Sequence, residues 1–219
     1  KKNLHYLKSL PNAIPYRTSY YKKNWGFCLS YNQFKKMNKN QFYKVKINSK
    51  LFKGQLNYGE IFIKGRLKRE ILFSTNICHP SMGNNELSGP VLAMQLANFI
   101  SEKQRKFSYR IIFIPETIGA IIFLEKNLKT LKKNLLAGFV LSCVGDNKSF
   151  SKISSRAGNT LADRMLENIL DTNNIKYKNY SFLDRGSDER QFCSPGVDLP
   201  VCSFLRTKHG KFKEYHTSL

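Results

Sequence analysis

The sequence predicts an α/β fold in which helices flank a largely parallel or mixed sheet. Apolar segments of strand length alternate with helical segments between residues 70 and 205. These strands are apolar throughout, as is usual for strands that are covered on both faces. A chain of 219 residues with 41% hydrophobic residues is also long enough to bury one sizeable core.

From residue 70 onward the predicted elements follow one another in a regular order. The strands are 70–78, 109–115, 138–144 and 199–205, and the helices are 89–101, 119–127 and 160–171. The pattern of the last helix is typical of an amphipathic helix, because Leu161, Met165 and Ile169 recur at a spacing of four and share one face. In sheets of this kind, ligands bind beyond the carboxyl ends of the strands.

The amino-terminal third has a different pattern. Residues 1–24 are loop-like, whereas 25–67 contain two short alternating segments, 42–47 and 58–63, separated by glycines. Alternation with period two between glycines favours a small antiparallel β unit. We therefore predict an α/β domain of 1–24 with 68–219, into which a β-rich subdomain of 25–67 is inserted. We also expect both ends to be truncated.

The formal charge of +22 would ordinarily suggest a nucleic-acid partner. The lysines are spread along the chain and greatly outnumber the arginines, whereas specific nucleic-acid sites depend on arginine forks and a localised basic face. We expect no specific nucleic-acid binding. Attraction to an acidic polymer or a membrane surface is the alternative interpretation of the charge.

The five cysteines form no CxxC pair and are odd in number. They are typical of free thiols in a reducing compartment, which favours a cytoplasmic protein. No segment approaches the ~20 apolar residues of a membrane-spanning helix. A homo-oligomer is compatible with the sequence, which does not determine the oligomeric state.

Polar segments with histidines and carboxylates occur where the predicted strands end. His79 follows the first strand, Glu116 the second and Asp146 the third, and His216 lies near the end of the chain. Imidazole and carboxylate ligands suit zinc, and catalysis by zinc requires an open position for water. These residues therefore predict a zinc site.

The same segments resemble the co-catalytic zinc aminopeptidase superfamily (peptidase family M28). More narrowly, they resemble bacterial aminopeptidase-like proteins found with polysaccharide-biosynthesis genes. The segments that carry the resemblance, which include Cys78-His-Pro-Ser81 and Pro115-Glu-Thr-Ile-Gly119, are 19–28, 78–90, 113–119, 188–196 and 206–218. They span nearly the whole chain in the expected order.

The resemblance implies a role for each matching residue. Glu116 would be the general base. The implied metal ligands are His79, Asp146, His216 and, at the position that bridges two ions, Asn85.

Residues implied to act around the metal, or on the substrate, form a second group. Asp188 would orient His216 or a neighbouring group from outside the metal sphere, and Glu86, Arg190 and His209 would line the site.

Two departures from the family pattern bear on the number of metal ions. The position that bridges two ions is normally aspartate and is Asn85 here, although Glu86 follows it. The family usually has two successive glutamates where this chain has Glu116 and Thr117, so the second glutamate is missing. A neutral amide cannot neutralise two dications. The sequence leaves open a site with one zinc, a site with two, and a degenerate site.

Three functional hypotheses follow. The first is a metallohydrolase that cuts an amide bond in a peptide or an amino-modified glycan precursor. The second is a catalytically degenerate aminopeptidase-like domain that serves as a binding module. Nucleic-acid binding from charge alone, which would weaken steeply with salt, ranks last.

Overall fold

The protein is described from a computed structural model, which covers residues 2–18, 24–38, 40–50, 52–80, 82–184 and 186–219. The chain divides into two compact units, Lys1–Leu56 with Lys213–Leu219, and Asn57–Phe212. Among the described residues, no helix is long and apolar enough to cross a membrane. Residues 19–23 and Ser81, which carry part of the family resemblance, lie outside the described residues.

The first unit contains a short parallel pair of strands, β1 (Leu4–His5) and β2 (Phe27–Cys28), and one helix, α1 (Tyr31–Lys36). Helix α1 begins at Ser30, whose hydroxyl accepts from the Gln33 amide while the Gln33 side chain accepts from the Ser30 amide. This reciprocal capping satisfies amides that have no partner within the helix. The carboxyl-terminal residues join the same unit through a bridge between Pro15 and Thr217.

The second unit contains the large sheet and the remaining helices. Its strands are β3 (Gly59–Ile63), β4 (Leu67–Asn76), β5 (Phe107–Ile114), β6 (Leu135–Leu141), β7 (Phe150–Ile153), β8 (Tyr177–Tyr180) and β9 (Val201–Leu205). Its helices are α2 (Ser88–Ser101), α3 (Ile118–Asn134), α4 (Leu161–Thr172) and α5 (Glu189–Phe192).

The sheet is mixed, with the strand order β3-β5-β4-β6-β9-β7-β8. The four central strands β5, β4, β6 and β9 are parallel to one another. Strand β3 is antiparallel to β5, and β7 is antiparallel to β9. The carboxyl ends of the parallel strands therefore meet at one edge, where the predicted site residues follow them.

The core lies on both faces of the sheet, because successive strand residues point to opposite sides. On one face, Leu72 and Ile112 pack with Phe123 of α3. On the other face, Ile111 and its neighbours pack against α2, and Ala137 with its neighbours packs against α4. Helices on both faces explain why the central strands are apolar throughout.

The predicted fold class is confirmed, and so is each predicted strand and helix after residue 70, although the helix predicted at 119–127 continues for seven more residues to Asn134. The predicted strand at 42–47 is wrong: this segment has no regular structure and its residues are exposed. The alternation of apolar and polar residues at 42–47 does not reflect burial, because the apolar side chains of this segment are exposed. The second predicted strand of that region is β3, which belongs to the large sheet. An inserted subdomain at 25–67 stays a prediction.

Two strands of the large sheet, β7 and β8, were not predicted, and neither were the short strands β1 and β2 of the first unit. Lys152 lies in the middle of β7, fully buried, with its ammonium 2.6 Å from a Glu167 oxygen and 3.3 Å from an Asp163 oxygen. A lysine in a strand of four residues hides the apolar pattern, since buried lysines are rare unless they are paired.

Candidate metal and catalytic site

The candidate site lies beyond the carboxyl ends of β4, β5 and β6. Cys78 and His79 follow β4, Glu116 follows β5, and Asp146 follows β6. Parallel strands bring these loops to the same edge of the sheet. The segments that follow these three predicted strands therefore lie at one edge of the sheet.

A π-helical turn over Gly83–Leu87 connects β4 to α2 and shapes the site. Its hydrogen bond from the Leu87 amide to the Met82 carbonyl spans five residues. Such turns insert an extra residue and occur often at functional sites. Here the turn buries the Glu86 side chain, which is only 5% exposed.

Glu86 binds the residues that follow β4. Its carboxylate lies 2.8 Å from the Nδ1 atom of His79 and accepts from the Cys78 amide at 2.9 Å. The side-chain amide of Asn85 donates to the same carboxylate at 2.8 Å. Asn85, predicted to bridge two ions, is thus engaged with the neighbouring glutamate.

The His79–Glu86 pair is strongly polarised. Hydrogen bonds that the His79 ring makes with Cys78 and Glu86 raise the pKa of His79 to about 10, against the opposing effect of burial. Burial alone would raise the pKa of Glu86, but the hydrogen bonds with His79 and the Cys78 amide hold it below its usual value. Without a metal ion, the pair is therefore an imidazolium with a carboxylate at neutral pH.

Cys78 and Glu116 complete a compact cluster of potential ligands around His79. The Cys78 sulfur lies 3.1 Å from Nδ1 of His79 and accepts from the Glu116 amide at 3.2 Å. One ligand atom each of Cys78, His79 and Glu116 lie within 4.8 Å of one another. This is the one group of three such residues found among the described part of the chain.

Glu116 is the best placed proton acceptor of the site. Burial raises the pKa of its carboxyl, and the nearby carboxylate of Glu86 raises it further, whereas His79, Arg190 and a hydrogen bond with Ser187 lower it. A carboxyl group with a raised pKa is a better base near neutral pH than an exposed glutamate.

The backbone after Glu116 is held in an uncommon conformation. Thr117 has φ 66° and ψ −70°, and the Ile118 amide donates to the Glu116 carbonyl at 2.8 Å. This is a γ-turn of the rare form with positive φ. The Thr117 amide donates to Asp188 at 2.7 Å, and Arg190 donates to its hydroxyl at 3.0 Å. These contacts stabilise the turn that orients Glu116.

Asp188 is fully buried next to this turn. Burial raises the pKa of its carboxyl to about 8, and the carboxylates of Glu116 and Glu189 add to the effect. Its contact with the backbone of Thr117 supports the prediction of a supporting role, although it acts on the loop of Glu116. The prediction that Asp188 orients His216 stays untested.

Asp146 is held in place by its own loop and by a neighbouring strand end. Its two oxygens accept from the Lys148 amide, from the amide and hydroxyl of Thr207, and from the side chain of Asn84, at 2.7–3.2 Å. These bonds keep its pKa below the usual value although burial opposes them. Its role as a metal ligand stays a prediction.

The two remaining predicted histidines belong to different units. His216 belongs to the first unit, where its carbonyl accepts from the Tyr16 amide and its ring stacks on Tyr215. His209 lies in the second unit, and Gly186 packs so closely against its ring that a side chain there would overlap it. Both functional roles stay predictions.

The ligand atoms that the site offers determine whether it can hold one zinc ion or two. A two-ion centre requires a bridging carboxylate, but position 85 is an amide that donates its N–H to Glu86. The second glutamate of the family is Thr117, a weak ligand that is bound to Arg190. The described residues therefore do not fit a two-zinc centre, whereas thiolate, imidazole and carboxylate together suit a single zinc ion.

Cys78 was not predicted as a site residue, although the structure places its sulfur beside His79. The cysteines were expected to be buried structural thiols, which holds for Cys143, Cys193 and Cys202, whereas Cys28 and Cys78 are partly exposed. The available signal was the position of Cys78, directly before His79 at a strand end.

Comparison with known proteins gives the family. A family model described as a domain of unknown function, DUF4910, matches residues 11–219. The chain belongs to the DUF4910 family. A protein of Clostridium acetobutylicum named "Putative polysaccharide biosynthesis protein with aminopeptidase-like domain" is 44% identical over 218 residues. This match covers 100% of the chain but 50% of the relative, so the chain spans about half of that protein's length.

Solved structures agree with this assignment. The crystal structure of a "putative peptidase" from Clostridium acetobutylicum has 43% identity and a TM-score of 0.94, covering 99% of this chain and 51% of that one. A zinc aminopeptidase from Bacillus subtilis has 15% identity and a TM-score of 0.57, covering 74% of this chain and 42% of that one. The expected resemblance is confirmed: this DUF4910 member is an aminopeptidase-like domain with the fold of zinc aminopeptidases.

Proposed function

We propose that this domain is a metal-dependent hydrolase that cuts an amide bond, with Glu116 as its general base. The observation that carries the proposal is the placement of the Glu116 carboxyl, whose pKa is raised, within 4.8 Å of the potential ligand atoms of Cys78 and His79. A base beside a metal-binding histidine is the arrangement that metal-assisted hydrolysis requires.

The residues of the site divide the chemistry between them. A bound zinc ion would polarise the amide carbonyl and lower the pKa of a water molecule to about 7. Glu116 accepts the proton of that water and returns it to the leaving amine. Asp188 and Arg190 hold the turn at Thr117 and so fix the direction of the Glu116 side chain.

The proposed substrate class is a peptide or an amino-modified glycan precursor. The aminopeptidase fold favours an amide next to a free amino group. The name of the Clostridium relative, which refers to polysaccharide biosynthesis, favours instead the amide bond of an N-acylated amino sugar. Both classes present the same bond to the same site.

The test uses purified protein supplied with zinc, manganese or cobalt. Release of product is measured from aminoacyl nitroanilides and from N-acylated hexosamines. We expect turnover by the wild type and a loss of at least about 100-fold in Glu116→Gln, because general acid–base catalysis contributes roughly 10²–10⁴-fold.

Glu102→Gln is the matched control, since Glu102 is an exposed glutamate at the end of α2. It should retain full activity. Equal rates in Glu116→Gln and Glu102→Gln would contradict the role of Glu116, and no turnover by the metal-supplied wild type on either class would contradict the proposed function.

A second candidate function has its own supporting observation. Asn85 replaces the bridging carboxylate and is bound to Glu86, which favours a degenerate domain that binds a glycan without cutting it. In that case the chelator-treated protein should bind the same acylated hexosamines as the metal-supplied protein. Isothermal titration of both forms distinguishes the candidates, because binding that depends on metal favours the hydrolase.

A further inference from the structure

The donors around His79 differ from those of a two-zinc aminopeptidase site. The Cys78 sulfur lies 3.1 Å from Nδ1 of the His79 ring, so a thiol lies directly beside the imidazole. One ligand atom each of Cys78, His79 and Glu116 lies within 4.8 Å of the others, close enough for the three residues to share one ion.

We propose that one zinc-like ion binds to Cys78, His79 and Glu116, in a thiolate-containing centre that replaces the two-ion centre. Thiolate and imidazole are the donors that zinc prefers in proteins, and a fourth position stays open for water. The proposal rests on the proposed function only for the use of the site, since metal binding itself is independent of turnover.

The position of the carboxylate next to Asn85 supports a single ion. Glu86 lies one residue beyond the bridging position, and its oxygens accept from His79 and from the Cys78 amide. With Nδ1 of His79 bound to Glu86, Nε2 is the ring nitrogen that would bind the ion, and the carboxylate fixes the ring and increases its basicity. Glu86 therefore supports a single ion by binding one of its ligands, whereas an aspartate at position 85 would have bridged two ions.

Glu116 has two tasks under this proposal, which are separated in time. In the resting protein its carboxylate would help to hold the ion, and it would be the weakest of the three ligands because oxygen is a harder donor than sulfur or nitrogen. During hydrolysis the same carboxylate would accept the proton of the water.

The experiment titrates chelator-treated full-length chain with cobalt, which reports a bound thiolate through a charge-transfer band in the near ultraviolet. Zinc per chain is then measured by elemental mass spectrometry. We expect about one equivalent and a thiolate band in the wild type. Cys78→Ser should lose the band and bind at least about 100-fold more weakly, because even outer partners of a metal cost roughly 10–100-fold.

Cys28→Ser is the matched control, because Cys28 is a free and partly exposed cysteine of the other unit. It should bind like the wild type. No thiolate band in the wild type, two tightly bound zinc ions per chain, or unchanged affinity in Cys78→Ser would each overturn the proposal. If Cys78→Ser does not fold, the thiolate band of the wild type still tests the proposal, because its absence would rule out a bound thiolate.

The variant Asn85→Asp provides an independent test of the single-ion site. Restoring the bridging carboxylate should raise the zinc content from about one toward two ions per chain, whereas Asn98→Asp, the same change at an exposed position of α2, should not. Failure of the two proposals is distinguishable. A thiolate site without turnover contradicts the hydrolase alone, and turnover that is insensitive to Cys78→Ser contradicts the thiolate site alone.

Discussion

At the scale of single residues, candidate site residues could be predicted where the residue type has few other common roles in a protein. His79 and Glu116 were chosen because imidazole and carboxylate at strand ends suit zinc, and the structure brings them together with Glu86. Cys78 was missed, because an isolated cysteine in sequence is most often a buried thiol. Its role depends on distances that only the folded chain sets.

The pH dependence of stability can be predicted at Asp188. Its folded pKa of about 8 lies above that of the unfolded chain, so the folded protein holds the extra proton between these values. The stabilisation is complete below the unfolded pKa and is lost as the pH rises through 8. Over that window the free energy of unfolding should fall by roughly 1.4 kcal/mol per pH unit from this group.

Asp188→Asn is the variant that isolates this contribution, since the amide keeps the shape and cannot ionise. Denaturant unfolding of chelator-treated protein between pH 5 and 8.5 should give a smaller pH slope than in the wild type. Parallel slopes for the two proteins would contradict a raised pKa at Asp188.

At the scale of elements, the approach of α2 to the sheet depends on one glycine. A side chain at Gly89 would overlap the Thr75 hydroxyl and the Leu141 carbonyl at the ends of β4 and β6. The helix therefore begins directly on these strands, which positions the π-helical turn and Glu86.

Gly89→Ala should destabilise the domain by about 1–3 kcal/mol, because overpacking forces the helix or the strands to shift. Gly83→Ala is the control within the same connection, since nothing lies within 4 Å of a side chain there. It should change the unfolding free energy by no more than about 0.5 kcal/mol. Midpoints of urea unfolding measure both, and equal midpoints would contradict the close packing at Gly89.

At the scale of the whole molecule, the division into units predicts which part folds alone. All seven strands of the large sheet and helices α2 to α5 lie within Asn57–Phe212. A fragment of these residues should unfold cooperatively with heat, since it contains its own core. Circular dichroism at several concentrations tests this, and a gradual melt would show that the first unit is required.

The sequence by itself determined the fold class, the central parallel strands and the loops that carry the site. These features follow from apolar periodicity, which is a local property of the chain. Tertiary structure decided the rest: β7 and β8, the pairing of Glu86 with His79, and the closeness of Cys78 to Glu116. Each of these depends on contacts between residues in different elements, or on a π-helical turn that no local pattern specifies. The number of ions that the donor set suits is therefore a property of the folded chain.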